Sequence, residues 1–229
     1  MRLDKYLALS GLGTRSEVKK LIKSGVVTVD GVIRDANYHV DGDVYVNGKL
    51  VIYEEFKYYM MNKPKGYITA KSDNIHPFLG SLVSEDVSFV GRLDKDTEGL
   101  LLLTNDGALL HKLTNPKYNV PKTYLVEISN VFKLEYKEAL ENGLKMEKTS
   151  FLPAKVNIIT NTLIELTITE GKHHQIKRMM AYFNLDVLSL KRISFGNIKL
   201  DETLNPGKYR PLTEEEINIL KNNVLFNNF

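Results

Sequence analysis

One short segment of the chain concentrates the residue types that acid–base or nucleophilic chemistry needs. Residues 90–100 read Val-Gly-Arg-Leu-Asp-Lys-Asp-Thr-Glu-Gly-Leu, which places Arg92, Asp94 and Asp96 within five positions. A carboxylate in such a loop can act as a nucleophile or accept a proton. The same spacing fits a solvated loop that is held by a salt bridge from Arg92 to Asp94 or Asp96. This segment alone favours the structural interpretation, and the catalytic one stays open because rigid scaffolds hold reactive groups on loops.

Two further segments carry groups that could join such a site. Tyr124 lies in an apolar stretch, and residues 170–179 bring together two histidines, a glutamine and three cations. An isolated tyrosine in a strand is more often a packing residue, and Lys177 by itself is typical of an exposed helix lysine. His173 and His174 have no carboxylate or third histidine at metal-binding spacing, so the sequence predicts no metal site.

Positive charge is distributed unevenly along the chain. The formal net charge is only +3, but cations outnumber carboxylates in residues 1–24 and again in residues 171–192. Such clustering is typical of proteins that bind a polyanion, for example a nucleic acid. The first cluster holds Arg2, Lys5, Arg15, Lys19, Lys20 and Lys23, and the second holds Lys172, Lys177, Arg178, Lys191 and Arg192.

The first fifty residues predict a small unit of two helices and short strands. Thr14 or Ser16 is suited to cap the second helix, and Gly25 is suited to end it. Valine-rich stretches that run into Asp-Gly and Asn-Gly predict strands followed by hairpin turns. We expect this domain to span residues 1–52, with a linker up to residue 57. The predicted helices are 2–9 and 15–24, and the predicted strands are 26–29 and 44–46.

The rest of the chain, residues 58–229, predicts a larger α+β domain. Its strand and helix patterns do not alternate regularly, which favours a mixed, mainly antiparallel sheet flanked by helices over a doubly wound sheet. Residues 222–229 are expected to form a loose tail. The predicted strands are 58–61, 88–90, 100–104, 123–128, 154–159 and 163–169, and the predicted helices are 107–113, 134–142, 174–183 and 213–221.

Composition narrows the class of protein further. The absence of cysteine excludes disulfides and cysteine-ligated zinc. No apolar run reaches the roughly 18 residues that a membrane span needs, and the charged N-terminus does not resemble a secretory signal. We therefore expect a cytoplasmic protein with no membrane-spanning segment. The glycine patterns match neither a dinucleotide fingerprint nor a P-loop, so no cofactor is predicted.

Seven segments follow one another in an order and at spacings that match a known family. They are Arg2–Ala8, Thr14–Arg15, Gly25–Gly31, Met61–Tyr67, Gly91–Leu100, Lys122–Val126 and Glu170–Met179. The first three resemble an S4 RNA-binding domain. The other four resemble the catalytic motifs of the RsuA/RluB/RluE/RluF family of pseudouridine synthases, which isomerise uridine in RNA without a cofactor. The resemblance covers nearly the whole chain.

The resemblance also implies which residues carry the chemistry. The reaction breaks the N1–C1′ glycosidic bond, turns the base and rejoins it through C5. Asp94 is implied to attack C1′ or to remove a proton at C2′, while Asp96 supports the loop. Because enclosure with a base disfavours an ionised carboxylate, Lys177 is implied to be the cation that pairs with Asp94. Tyr124 is implied to stack on the uracil and to help remove the C5 proton.

Other residues are implied to bind the RNA. Leu190 is expected to pack against the second face of the base, and Arg92 to fill the space of the flipped base or to hold the backbone. Gln175 and Arg178 are further substrate-binding candidates, with Arg178 at a phosphate. The S4-type domain is expected to contact phosphates. Its candidates for these contacts are Arg2, Arg15, Lys19, Lys20 and Lys23.

The sequences of residues 174–179 and 206–216 are most similar to the branch of the family that modifies small-subunit (16S) rRNA. This similarity implies ribosomal RNA, in a small-subunit assembly intermediate, as the partner of a monomeric enzyme. A large-subunit (23S) enzyme of the same family and a non-catalytic S4-type RNA-binding protein are the alternatives. An RNA methyltransferase is a further alternative, but it would need a glycine-rich cofactor loop that the sequence lacks. A hydrolase of N-glycosidic bonds is another, and it would differ from an isomerase by releasing free uracil.

Overall fold

The computed structural model describes residues 1–53, 56–147 and 149–222. The chain divides into two compact units, Met1–Glu55 and Phe56–Phe229, and each has its own apolar core. The predicted α+β class is confirmed. The tail predicted at 222–229 lies outside the described residues from position 223 onward. No helix in the described ranges is long and apolar enough to cross a membrane.

The first unit packs two helices against a four-stranded antiparallel sheet. Its elements are α1 (Leu3–Leu9), α2 (Arg15–Lys23), β1 (Val27–Val29), β2 (Val32–Ile33), β3 (Val44–Val46) and β4 (Lys49–Val51). The strand order is β2-β1-β3-β4. Thr14 caps α2, because its hydroxyl accepts from the amide of Glu17 while the Glu17 carboxylate accepts from the amide of Thr14 at 2.7 Å. Of the two predicted caps, Thr14 is therefore the correct one.

The second unit is built on a nine-stranded mixed sheet. Its helices are α3 (Gly107–Thr114), α4 (Leu134–Glu141), α5 (Gln175–Tyr182) and α6 (Glu214–Asn222). Its strands are β5 (Tyr58–Lys63), β6 (Ser88–Phe89), β7 (Glu98–Thr104), β8 (Lys122–Ile128), β9 (Lys145–Met146), β10 (Thr149–Ser150), β11 (Lys155–Ile158), β12 (Leu163–Ile168), β13 (Val187–Phe195), β14 (Ile198–Lys199) and β15 (Tyr209–Pro211).

The order of the large sheet is β11-β12-β8-β13-β7-β5-β15, with β14 on β13 and β6 on β7. Among the strand pairs that the structure describes, only β7 with β13 is parallel, so the prediction of a mainly antiparallel sheet is confirmed. The strand β7 is buried on both faces: Leu100 and Leu102 belong to one apolar cluster, and Leu101 and Leu103 to another. Such burial explains its uninterrupted apolar sequence.

The parallel pair at the centre of the sheet depends on Gly99. This residue has a φ of 101° and lies opposite Arg192 of β13. A side chain at position 99 would collide with the carbonyl oxygen of Arg192, so glycine is what allows the two strands to approach. The strand β13 is absent from the predicted elements, because Lys191, Arg192 and Ser194 interrupt its apolar pattern. Its position matters for the site, since it carries Leu190 next to β8.

Candidate active site

A cleft of about 590 Å³ opens in the second unit beside the loop that joins β6 to β7. Its walls come from this loop, from β8 and β13, and from the segment that leads into α5. Six of the seven residues that the sequence predicted for a catalytic site line this cleft: Arg92, Asp94, Tyr124, Gln175, Lys177 and Leu190. The fold therefore brings together segments that lie far apart in the sequence.

The loop that carries Asp94 is held in place by the end of β5 and by the segment that follows this strand. Lys63 is fully buried, and its ammonium group donates to the carbonyl oxygen of Thr97 at 2.7 Å. Burial lowers the pKa of Lys63 to about 8. The hydroxyl of Thr69 bonds to both the backbone oxygen and the amide of Leu93, at 2.8 and 3.1 Å. These contacts fix the backbone on which Asp94 is mounted.

Two carboxylates of this loop share one lysine unequally. Lys177 Nζ lies 2.6 Å from both carboxylate oxygens of Asp96 but 3.9 Å from Oδ2 of Asp94. The expected pair between Lys177 and Asp94 is present as a long ion pair, while the hydrogen bonds of Lys177 go to Asp96. The turn from 94 to 97 points both carboxylates toward the start of α5, and Asp96 comes within hydrogen-bonding distance of the ammonium group. Asp94 has a second neighbour in His174, whose Nε2 lies 3.8 Å from Oδ2.

The electrostatics of these two carboxylates differ accordingly. Burial acts to raise the pKa of Asp96, but the hydrogen bond and the charge of Lys177 outweigh burial and bring this pKa below its ordinary value. Asp96 is thus an ionised carboxylate whose two oxygens already accept from Lys177. Within the described part of the chain, no hydrogen bond reaches the carboxylate of Asp94, and its side chain is 32% exposed at the cleft. Such a carboxylate can reach a bound molecule.

Tyr124 and Leu190 supply apolar walls from two neighbouring strands. Leu190 lies opposite Val126, two residues along β8 from Tyr124. Both side chains are buried, and both also belong to the apolar core beneath the sheet. Core packing and contact with a ligand are therefore compatible at both positions, because each residue presents one side to the core and another to the cleft. A planar heterocycle would fit against an aromatic ring and a branched aliphatic chain.

Arg92 lies at the rim of the cleft and is exposed. It makes no ion pair with Asp94, with Asp96 or with any other residue in the described ranges. The interpretation of residues 90–100 as a loop held by a salt bridge from Arg92 is therefore wrong. Its guanidinium group remains available for a ligand.

The two other substrate-binding candidates have protein partners. Gln175 is buried, accepts from the amide of Lys172 at 3.1 Å and donates to Glu170 at 3.3 Å, so it braces the loop before α5. Arg178 does not line the cleft. Its guanidinium group lies over the ring of Phe151, 5.2 Å from the centroid.

His174 is a site residue that sequence reasoning missed, since the histidine pair was weighed only as a metal site. Its φ of 50° places it in the left-handed region immediately before α5. Its ring stacks on that of His173 at a centroid distance of 3.8 Å. The structure shows no cluster of metal-ligating residues in the part that it describes. The available signal was the Gly-Lys-His-His run ahead of a helix.

The five cationic candidates of the first unit are all exposed, but they are not equivalent. Arg2 binds the buried carboxylate of Asp4 through two hydrogen bonds of 2.9 and 3.1 Å, and Lys19 lies 3.8 Å from the same group. The remaining candidates form no ion pair with the residues that the structure describes: Arg15, Lys20 and Lys23.

Known proteins match the chain over nearly its whole length. A family model described as RNA pseudouridylate synthase matches residues 57–182, and an S4 domain model matches residues 1–43. An uncharacterised RNA pseudouridine synthase of Bacillus subtilis is 49% identical over 96% of this chain and 98% of its own. The ribosomal small subunit pseudouridine synthase A of Vibrio cholerae is 41% identical over 95% and 98%. A crystal structure of a pseudouridylate synthase, 36% identical, has a TM-score of 0.69 over 96% of this chain and 99% of that one.

Proposed function

Because the chain belongs to the RNA pseudouridylate synthase family, we propose that it converts one uridine of small-subunit (16S) rRNA into pseudouridine. The reaction is an isomerisation, so it needs no redox partner and no group donor. The observation that carries the proposal is the cleft in which the carboxylate of Asp94 faces Tyr124 and Leu190. The choice of 16S rRNA is supported by the Vibrio cholerae relative, whose name specifies the small ribosomal subunit.

In the proposed mechanism the target uridine leaves its stack and its base enters the cleft between Tyr124 and Leu190. Asp94 either attacks C1′ or removes the C2′ proton, and the electron pair of the N1–C1′ bond moves to N1. The detached base turns, and C5 forms the new bond to C1′. In the first route this bond displaces Asp94 from C1′, and in the second route Asp94 returns the proton to C2′. Tyr124 helps to remove the C5 proton and N1 takes one up, so the product has the mass of the substrate.

The charges around Asp94 support this role. Lys177, 3.9 Å away, stabilises the ionised carboxylate when a bound base excludes water. Asp96 fixes Lys177 in place, and Arg92 at the rim takes the space of the flipped base or holds the backbone. We assign to Gln175 the positioning of the loop before α5.

We assign residues 1–52, which belong to the first unit, to RNA affinity and residues 58–229 to catalysis. Exposed cations without an intramolecular carboxylate partner are suited to phosphate contacts, and Arg15, Lys20 and Lys23 meet this condition. Arg2 and Lys19 would contact RNA while they also neutralise Asp4. The enzyme would act as a monomer in the cytoplasm, on an assembly intermediate of the small subunit.

The test uses the purified full chain with three substrates: a 16S rRNA transcript, a 23S rRNA transcript and a reconstituted small-subunit intermediate. Pseudouridines are mapped in each RNA, and released uracil is measured. We expect one modified position in the 16S RNA, faster modification in the intermediate and no free uracil. Modification confined to 23S rRNA would favour the large-subunit alternative. Binding without modification would favour a non-catalytic S4-type protein, and released uracil would indicate a hydrolase.

A further inference from the structure

A second cavity, of about 270 Å³, adjoins the catalytic cleft. Arg92, Tyr124 and Lys172 line both spaces, so the two are neighbours along the same surface. The inner wall of the second cavity comes from Lys122 of β8 and from Arg192 of β13. The chemistry proposed for the cleft uses neither of these residues.

Arg192 is a buried cation with an unused donor. Its side chain is 2% exposed, and its Nε donates to the carbonyl oxygen of Leu100 at 2.7 Å. Its guanidinium group lies over the ring of Phe195, 5.2 Å from the centroid. The terminal Nη2 is buried and has no hydrogen-bond acceptor among the described residues. A buried donor without an acceptor destabilises the fold, so an acceptor that enters the cavity would be favoured.

Lys122 is the second cation of this wall. Its ammonium group donates to the carbonyl oxygens of Val120 at 2.7 Å and Thr169 at 3.3 Å, which leaves one of its three N–H groups for another acceptor. It lies 5.5 Å from the centroid of the Phe195 ring, the ring that Arg192 also contacts. Burial and then the charge of Arg192 lower the pKa of Lys122 to about 8.

The positive charge of this cavity is not balanced by its own walls. Glu170 is the one carboxylate among the lining residues that the structure describes. Its oxygens are already bound by Lys172 at 2.6 Å and by the amide of Leu152 at 2.9 Å. Neither Lys122 nor Arg192 forms an ion pair within the described ranges. An anionic ligand would therefore supply both the missing charge and the missing acceptor.

We propose that this second cavity binds a backbone phosphate of the RNA next to the target nucleotide, through Lys122 and Arg192. The inference rests on the proposed function for the identity of the RNA. A phosphate carries several acceptor oxygens, so one group can accept from Nη2 of Arg192 and from the ammonium of Lys122 together. Because the cavity shares Arg92 and Tyr124 with the cleft, a phosphate held there would fix the strand on which the flipped base is mounted.

The first test measures anion binding without RNA or catalysis. The side-chain NMR signal of Lys122, assigned by its loss in Lys122→Gln, is titrated with pH in the full chain with and without inorganic phosphate. We expect phosphate to raise the pKa of Lys122 from about 8 toward its ordinary value. An equal concentration of chloride should change this pKa much less. If phosphate leaves the titration of Lys122 unchanged, the subsite does not exist.

The second test measures binding of a 16S rRNA fragment over a range of salt concentrations. Removal of one phosphate contact should reduce the slope of log K against log salt by about 1 in Lys122→Gln, and Lys122→Arg should restore it. The matched control is Lys112→Gln, which removes the same charge from an exposed position on α3 outside the cavity. Equal slopes for Lys122→Gln and Lys112→Gln would overturn the proposal. If phosphate binds but the wild type forms no pseudouridine, the proposed function fails and the subsite stands.

Discussion

Two ion-pair clusters in the second unit differ in how completely their charges are paired. Arg210 of β15 reaches Asp201 at 2.7 Å and both oxygens of Glu216 at 2.8 and 2.9 Å. Each charged group of this cluster has a partner at hydrogen-bonding distance. At the cleft, by contrast, Lys177 binds Asp96 at 2.6 Å and leaves Asp94 at 3.9 Å.

The difference indicates that the cluster around Arg210 stabilises the fold, whereas the cluster at the cleft leaves the carboxylate of Asp94 free for a ligand. Hydrogen bonds from Thr203 and Arg210 lower the pKa of Asp201 to about 2, and the cluster ties α6 to the edge of the sheet. Its carboxylates are fully used by the protein. Asp94 has the ammonium group of Lys177 at ion-pair distance but no hydrogen bond in the described ranges, so its oxygens can meet a substrate. A carboxylate whose oxygens are free at a cleft is available to act as a nucleophile or a base on a bound substrate.

The largest effect is expected from Asp94→Asn, because the amide keeps the shape of the side chain but cannot attack or accept a proton. We expect single-turnover pseudouridine formation to fall by about a thousandfold or more. RNA affinity and thermal stability should stay close to those of the wild type. Asp201→Asn is the matched control: it makes the same chemical change in the saturated cluster and should leave the rate intact. A rate for Asp94→Asn within tenfold of wild type would exclude Asp94.

The next effect is expected from Lys177→Met, which keeps the apolar stem and removes the charge. We expect a loss of about a hundredfold in rate, because an enclosed carboxylate without a cation is partly protonated near neutral pH. The rate should recover in part as the pH rises, because a higher pH favours the ionised form of an enclosed carboxylate. Lys177→Arg should retain more activity, since it keeps the charge. Identical pH–rate profiles of the two variants between pH 6 and 9 would show that the charge is irrelevant.

A smaller loss, about tenfold, is expected from Asp96→Asn. This substitution removes the closest partner of Lys177 but leaves both Asp94 and the cation in place. A defect in positioning should be relieved in part by Asp96→Glu, which keeps the negative charge. The measurement is the single-turnover rate of both variants. A loss as large as that of Asp94→Asn would mean that the two carboxylates have similar roles, and the contrast between them would be lost.

The smallest effect on rate is expected from Arg210→Met, which removes the centre of the saturated cluster. Activity should stay within about twofold, while Tm falls by about 2–4 °C. Hydrogen bonds from Thr203 and Arg210 lower the pKa of Asp201, and the bond from Arg210 lowers that of Glu216. These two carboxylates therefore contribute to the free energy of unfolding at pH values above their pKa values in the unfolded chain. This contribution is lost as the pH falls through their pKa values in the folded protein. The stability gap between wild type and variant should narrow below about pH 4. A gap that is constant down to pH 2 would contradict this account.

Much of the fold follows from sequence patterns. Each predicted helix and strand is present, with ends within two residues of the prediction. The strand β13 could not be predicted in the same way, because its charged positions are buried only once β8 and β7 flank it. Arg192 illustrates the reason, since a cation in a strand is typical of an exposed face until a neighbouring carbonyl oxygen and an aromatic ring enclose it. The short strand β15 has three residues and no apolar pattern of its own.

The site was predictable as a set of residues but not as a set of contacts. Motif resemblance predicted Asp94, Tyr124 and Lys177, and these side chains line one cleft. It gave no sign that Asp96 would lie nearer to Lys177 than Asp94 does, because both carboxylates lie on one turn and only side-chain geometry distinguishes them. Lys63 was overlooked because its contact with the backbone of the loop that carries Asp94 depends on how this loop packs against the end of β5. A hydrogen bond to a carbonyl oxygen has no signature in the sequence.

The most direct test of the central claim, that the incompletely paired carboxylate is the reactive one, is made in cells. The chromosomal gene is replaced by wild type, Asp94→Asn or Asp96→Asn at equal protein levels, and pseudouridines in 16S rRNA are mapped at nucleotide resolution. We predict that one position is pseudouridine in cells with the wild type. The same position should be modified to a measurable fraction with Asp96→Asn and should remain uridine with Asp94→Asn. Modification of that position by Asp94→Asn at the wild-type level would contradict the account.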